Sequence, residues 1–143
     1  MEIHRSALRS VAEGVLAITA AAWLISAAAQ PKEGAARTSS EGGITIVVTP
    51  KASSPDREWA FTVALDTHSQ DLGDDLVASS VLLVNGAQVK PTAWTGAAPG
   101  GHHREGVLTF APVEKPAGAV ELRIQRPDEA QPRTFRWDGA DVY

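Results

Sequence analysis

Two stretches of the chain gather side chains that can do chemistry: LDTHSQDLGDD, residues 65–75, and WTGAAPGGHHREG, residues 94–106. Beyond the first 29 residues, His68, His102 and His103 are the only histidines. Imidazole nitrogen combined with carboxylate oxygen is a donor set that suits Zn(II) or Cu(II). The metal candidates are therefore His68, His102, His103 and Asp66. Spacing limits how they can combine. Successive side chains of an extended segment point to opposite faces, so His102 and His103 share one ion only if the Gly100-Gly101 turn folds them together. Alternation places His103 outward with Val107 and Thr109, His102 inward, and His68 outward with Asp66. The geometrically natural pair is His68 with one of the two loop histidines. No spaced ligand motif of a known metal site is present.

The same residue types suit a second role. A loop from Thr95 to Glu105 cannot place all its backbone groups in a ladder, so those groups need other partners. Asp, Thr and Ser side chains commonly supply them in turns. Thr67, Ser69, Asp71, Arg104 and Glu105 are candidates for anchoring this loop or for binding a partner, and His68 could hydrogen-bond the loop to the strand end. In a third reading the histidines form a polar patch that recognises a protein partner in the cell envelope. Loops and strand ends are where a β scaffold displays such groups.

Catalysis finds little footing. The chain has no G-x-S-x-G elbow, no H-E-x-x-H pair and no phosphate-binding glycine loop leading into a helix. His68 and Ser69 name parts of a triad, but neighbours on a strand cannot adopt its geometry. The DLGDD segment fails the spacing of a calcium loop. With no cysteine, and Met1 the only methionine, disulfides, thiolate metal centres and cysteine nucleophiles are excluded. No catalytic residue is assigned.

The elements that must position these residues are short strands. ITIVVT puts Ile44, Ile46 and Val48 on one face. EWAFTVALDT puts Trp59, Phe61, Val63 and Leu65 on one face and Ala60, Thr62, Ala64 and Asp66 on the other. SVLLVNGAQVKPTAW holds two extended runs joined at Asn85-Gly86, a dipeptide suited to the positive φ angles of a tight hairpin. GVLTF turns Leu108 and Phe110 inward, AVELRIQ turns Val120, Leu122 and Ile124 inward, and RTFRW ends the series with Phe135 and Trp137. About seven alternating strands separated by Pro- and Gly-bearing turns predict an all-β domain, an immunoglobulin- or fibronectin-like antiparallel sandwich. A small closed barrel is the alternative. Trp59, Trp94 and Trp137 are expected to supply core area in place of a disulfide.

The N-terminus has a different character. Arg5 and Arg9 precede the uncharged run VLAITAAAWLISAAA, residues 15–29, which ends in an A-x-A arrangement. That pattern predicts a signal peptide over residues 1–29, with an N-terminal membrane anchor as the alternative. Residues 30–43 read as a flexible linker, and residues 44–143 as the β-sandwich domain. The formal net charge is −4, and the first 29 residues carry two acidic and two basic groups, so the remainder stays mildly acidic. With no basic block, nucleic acid is not an expected partner. Membrane contact is expected only through an uncleaved N-terminal segment.

Two strings carry a resemblance. They are W-x-F-x-V-x-L-D-T-H-S-x-D-L from Trp59 to Leu72 and W-x-G-x-x-P-G-G-H-H-R-x-G-x-L-x-F from Trp94 to Phe110. The chain thereby resembles a family of small exported bacterial β-domain proteins. The resemblance implies a periplasmic or secreted β-domain in which the two histidine stretches belong together. It implies no substrate, cofactor or catalytic residue. The sequence as a whole leads to an exported, non-catalytic binding module that takes a transition metal or an envelope partner. The alternative is a purely structural envelope domain whose histidines anchor a loop.

Overall fold

In the run from Ile44 to Pro50 every second residue is buried, and the same holds from Trp59 to Leu65, from Ser80 to Val84, from Val120 to Ile124 and from Arg133 to Trp137. This is how strands with one face on a core behave. The computed structural model describes residues 34–51, 54 and 56–143. The expected signal or anchor segment, 1–29, and the start of the linker lie outside the described residues. Among the described residues no helix is long and apolar enough to cross a membrane.

Nine strands form two antiparallel sheets. They are β1 (Arg37–Glu41), β2 (Ile44–Pro50), β3 (Trp59–Thr67), β4 (Ser80–Val84), β5 (Ala87–Val89), β6 (Pro91–Gly96), β7 (His103–Phe110), β8 (Ala119–Ile124) and β9 (Arg133–Asp138). The five-stranded sheet runs β1-β2-β3-β7-β6 and the four-stranded sheet runs β5-β4-β8-β9. A one-turn helix α1 (Leu76–Ser79) precedes β4, and Asp75 caps it by accepting from the Val77 and Ala78 amides at 3.1 Å. Phe61 bridges the two sheets, edge-on to Phe110 at 5.8 Å and tilted on Trp137 at 5.5 Å. Trp59 and Trp137 are buried, whereas Trp94 is only partly buried at the margin of the core.

The two strands beyond the expected seven have separate causes. The run after Asn85-Gly86 breaks at Lys90-Pro91. Pro91 has no amide hydrogen to donate, and there the chain leaves the four-stranded sheet as β5 and enters the five-stranded sheet as β6. The hairpin turn itself has positive φ at Asn85 (50°) and Gly86 (80°), as its residue types require. The other addition is β1, which lies inside the stretch read as a flexible linker. Arg37–Glu41 pairs with β2 through a turn at Gly42 and Gly43, both of positive φ. Its residues are polar and mostly exposed, so it carries no apolar alternation from which a strand could be read.

One end of the sandwich is closed by charge instead of apolar packing. Arg126 donates to the Asp74 carboxylate from Nε at 2.7 Å and from Nη2 at 3.2 Å, with the two side chains only 6% and 3% exposed. Arg104 donates to the Asp74 carbonyl at 2.5 Å. Glu129 accepts from Arg133 and lies 3.7 Å from Arg126. Arg133 also reaches the β1–β2 turn, donating to the carbonyls of Glu41 and Ile44 at 2.8 Å. Three arginines thus connect β7, β8, β9, the β1–β2 turn and the segment before α1. The hydrogen bond from Arg133, with its positive charge, holds the Glu129 carboxyl below its ordinary pKa.

Removing one partner of a buried ion pair leaves the other charged and unsolvated, which costs about 3–5 kcal/mol. Arg126→Met is expected to lower unfolding free energy by that amount in urea titration. Arg136→Met, which breaks only a surface pair with Glu121 at 3.5 Å, should change it by no more than ~1 kcal/mol.

Candidate functional site

Strand β7 starts earlier than its apolar pattern suggests, at His103, because Asp66 and His103 are opposed residues of the β3–β7 ladder. Opposed side chains share a face. His103 Nδ1 and Asp66 Oδ1 are 2.5 Å apart, and His103 Nε2 lies 3.8 Å from Glu105 Oε2. The hydrogen bond to Asp66, then its negative charge, raise the His103 pKa above 6.5, with a smaller push from Glu105. The His103 and Asp66 side chains remain 62% and 52% exposed, so this is a surface pair on the outer face of the five-stranded sheet.

His102 departs from the expected inward position. The ladder begins only at His103, and Gly100 and Gly101 before it take φ of 114° and 76°. Strand alternation does not extend through such a turn, and His102 is exposed. His68 is exposed as well, and no hydrogen bond of its ring is present among the described residues. The proposed pairing of His68 with a loop histidine is replaced by Asp66 with His103. Among the described residues no group of three or more His, Asp and Glu side chains is placed to hold a metal ion. Of the set His68, His102, His103 and Asp66, the structure brings Asp66 and His103 together.

The two stretches are nonetheless joined, chiefly through backbone. The Thr67 amide donates to the His102 carbonyl at 2.9 Å, Leu72 to Gly101 at 3.1 Å, and Gly100 back to Leu72 at 2.9 Å. Asp71 accepts from the Gly101 amide at 2.8 Å. Thr67 Oγ1 donates to Gly43 and accepts from the Ser69 amide, while Gln70 donates to Gly42. The Ser69 side chain is exposed, and Glu105 holds the loop with its carbonyl, which accepts from Ala97 at 2.9 Å.

Trp94, Gly96, Arg104 and Gly106 form the base of the second stretch. The Trp94 indole donates to Ala97 at 2.9 Å, and the Arg104 guanidinium lies 5.1 Å from its ring centroid and also donates to Ala97. Gly96 and Gly106 face each other across the β6–β7 ladder. A Cβ on Gly106 would come within 2.6 Å of Trp94 Cζ2 and 2.7 Å of the Thr95 carbonyl. The indole can lie over the strand only because this position has no side chain.

Reading the sequence for histidines missed Asp74, Arg126, Glu129 and Arg133. Parity marks the two missed arginines: Arg126 continues the inward series Val120, Leu122, Ile124, and Arg133 begins the inward series with Phe135 and Trp137. The Asp74–Arg126 pair stands between two clefts. One, about 470 Å³, lies between residues 70–74 and 126–129; the other, about 610 Å³, lies between α1, Lys90 and Pro132. No family model, curated protein or solved structure matches the chain.

Because folding favours the protonated imidazole, the His103–Asp66 pair contributes stability below the ordinary imidazole pKa and loses it as pH rises through the raised value. By NMR, His103 is expected to titrate above 6.5 and to fall back toward that value in Asp66→Asn, with a smaller shift in Glu105→Gln. A second expectation concerns Gly106→Val. It should displace the Trp94 indole, seen as a red-shifted emission, and destabilise the fold by about 1–3 kcal/mol, the usual cost of overpacking.

Proposed function

We propose that this chain is an exported, non-catalytic binding module that recognises an envelope protein through the loop end carrying His68, His102 and His103. The observation that carries the reading is a contrast within two adjoining stretches. Their backbones are tied by hydrogen bonds, Asp71 and buried Arg104, while all three imidazoles remain exposed. A ring that staples a loop would be buried against carbonyls; these rings face solvent on a fixed frame. Ordering such a frame beforehand lowers the entropy cost of association.

The finer fold assignment is part of the same proposal. The order β2-β3-β7-β6 corresponds to the A-B-E-D sheet of an immunoglobulin-like sandwich, and β4-β8-β9 corresponds to C-F-G, with β5 added beside C. In that correspondence residues 68–75 form the B–C loop and 125–132 the F–G loop. These are loops that antibody variable domains use for recognition, so the analogy adds fold-level support, while the exposed groups carry the chemistry. Asp66 and Glu105 beside His103 favour a partner surface with basic or hydrogen-bond-donating groups.

The test replaces His102 with a photo-crosslinking residue in cells that produce and export the chain. One discrete envelope protein is expected to be captured, and capture should fall on the order of tenfold when His68 and His103 are changed to Ala, as for loss of a central contact. Equal capture from an exposed position on β9, such as Thr134, would sink the reading.

A further inference from the structure

The two clefts on either side of the Asp74–Arg126 pair differ in charge. The smaller is rich in carboxylates: Asp71, Asp74, Asp128 and Glu129 line it, with Arg126 as their counter-charge. The larger, about 610 Å³, carries Lys90, Arg123 and Arg126 together with Asp74 and Asp75. Its volume falls within the roughly 300–1,000 Å³ of small-ligand sites. Val81 and Arg123, opposed across the β4–β8 ladder, both line it. Ala78 of α1 and Pro127 and Pro132 of the β8–β9 loop add apolar surface. With Val81, the apolar part of the lining is aliphatic throughout.

The charges of this cleft are largely engaged within the fold. Arg126 binds Asp74 at 2.7 Å and Arg123 binds Glu121 at 2.5 Å. Asp75 accepts from two amides of α1. Lys90 is different: it forms no ion pair among the described residues, and its ammonium donates to the carbonyls of Ala78 and Ser80 at 3.5 and 3.4 Å. Those carbonyls position the charge without neutralising it, and an ammonium has three donors, so one remains. The chain leaves β5 for β6 at this residue, and Pro91 after it favours extended backbone, which sets where the side chain starts. Ser79, also in the lining, holds a buried hydroxyl with no hydrogen-bond partner.

We propose that this cleft binds a small aliphatic carboxylate, with the charge on Lys90 and the hydrocarbon on Ala78, Val81, Pro127 and Pro132. An unneutralised ammonium matches one negative charge. The aliphatic lining matches a hydrocarbon tail better than it does a wholly polar anion such as phosphate. The carboxylate-rich neighbouring cleft repels the same ligand, so the Asp74–Arg126 pair separates a side open to anions from one closed to them. The site lies apart from the three imidazoles and does not rest on the recognition proposed for them.

The same chemistry could come from a free acid or from the carboxyl end of an apolar peptide, so the test uses both. The probes are octanoate and acetyl-Ala-Ala-Leu, each compared with its amide. In the full chain, titration followed by residue-resolved NMR is expected to shift the backbone amides of Ala78, Val81, Gln88 and Arg123 saturably. The carboxylate that binds more tightly identifies the source. Lys90→Gln should weaken it on the order of tenfold, as for loss of a hydrogen bond to a charged group, and Lys90→Arg should retain it. The matching amide should bind the unmodified protein and Lys90→Gln alike. Lys115→Gln, whose ammonium instead lies over the Tyr143 ring, should leave the affinity unchanged. Lys90 is exposed, so Lys90→Gln is expected to unfold at the temperature of the unmodified protein, which separates lost binding from lost folding. No saturable shift at these amides with either carboxylate, or equal affinity of Lys90→Gln and the unmodified protein, overturns the proposal.

Discussion

The buried Asp74–Arg126 pair is the constraint around which the loop end is organised. Two strands of opposite sheets end near it, and the chain between them must satisfy backbone carbonyls that no ladder can reach. An arginine offers five donors on a planar fork, which suits several carbonyls converging from different loops. Arg104 meets the carbonyls of Leu72, Asp74 and Ala97, and Arg133 meets those of Ser39, Glu41 and Ile44. Asp74 and Glu129 supply the counter-charges. A leucine in any of the three positions would fill volume and leave acceptors unpaired at a cost of about 1–3 kcal/mol each.

This arrangement explains which parts of the sequence were legible. The all-β class and the inward residues of β2, β3, β7, β8 and β9 follow from alternation, because each of those strands has one face on the core. β1 carries no such signal: it is an edge strand of polar residues, held by backbone pairing and by Arg37 and Arg133, and none of these leaves an apolar period in its own sequence. The division of one long run into β5 and β6 depends on what Pro91 does after a three-residue strand. Proline marks a break without saying that the chain changes sheets there.

At the site, legibility failed where residue type was weighed ahead of position. The histidines drew attention as metal ligands, but strand register decides neighbours, and it set His103 against Asp66. Alternation counted back from the strand puts His102 inward, but the strand begins only at His103, and Gly100 and Gly101 with their positive φ have already turned the chain there. Arg104 and Arg133 lie on inward positions of their strands, and Arg126 keeps the inward parity two residues past β8, where a charge is costly unless paired. An inward arginine at a strand end is therefore a stronger sign of a buried polar network than a surface histidine is of a metal site.

The frame and the display depend on each other through the same few atoms. Thr67 gives its amide to the His102 carbonyl and its hydroxyl to Gly43, so the segment bearing His68 is held between the β1–β2 turn and the β6–β7 loop. Asp71 and Leu72 hold Gly101 and Gly100 in turn, and Arg104 fixes the carbonyls on either side. Each of these contacts spends a backbone or carboxylate group inward. The imidazoles of His68 and His102 are left without such work, on a backbone that has little freedom to lose. A partner recognised there, as proposed, would meet rings whose supporting chain is already tied by these hydrogen bonds, and ordering cost is one of the terms that separate a weak contact of given area from a strong one.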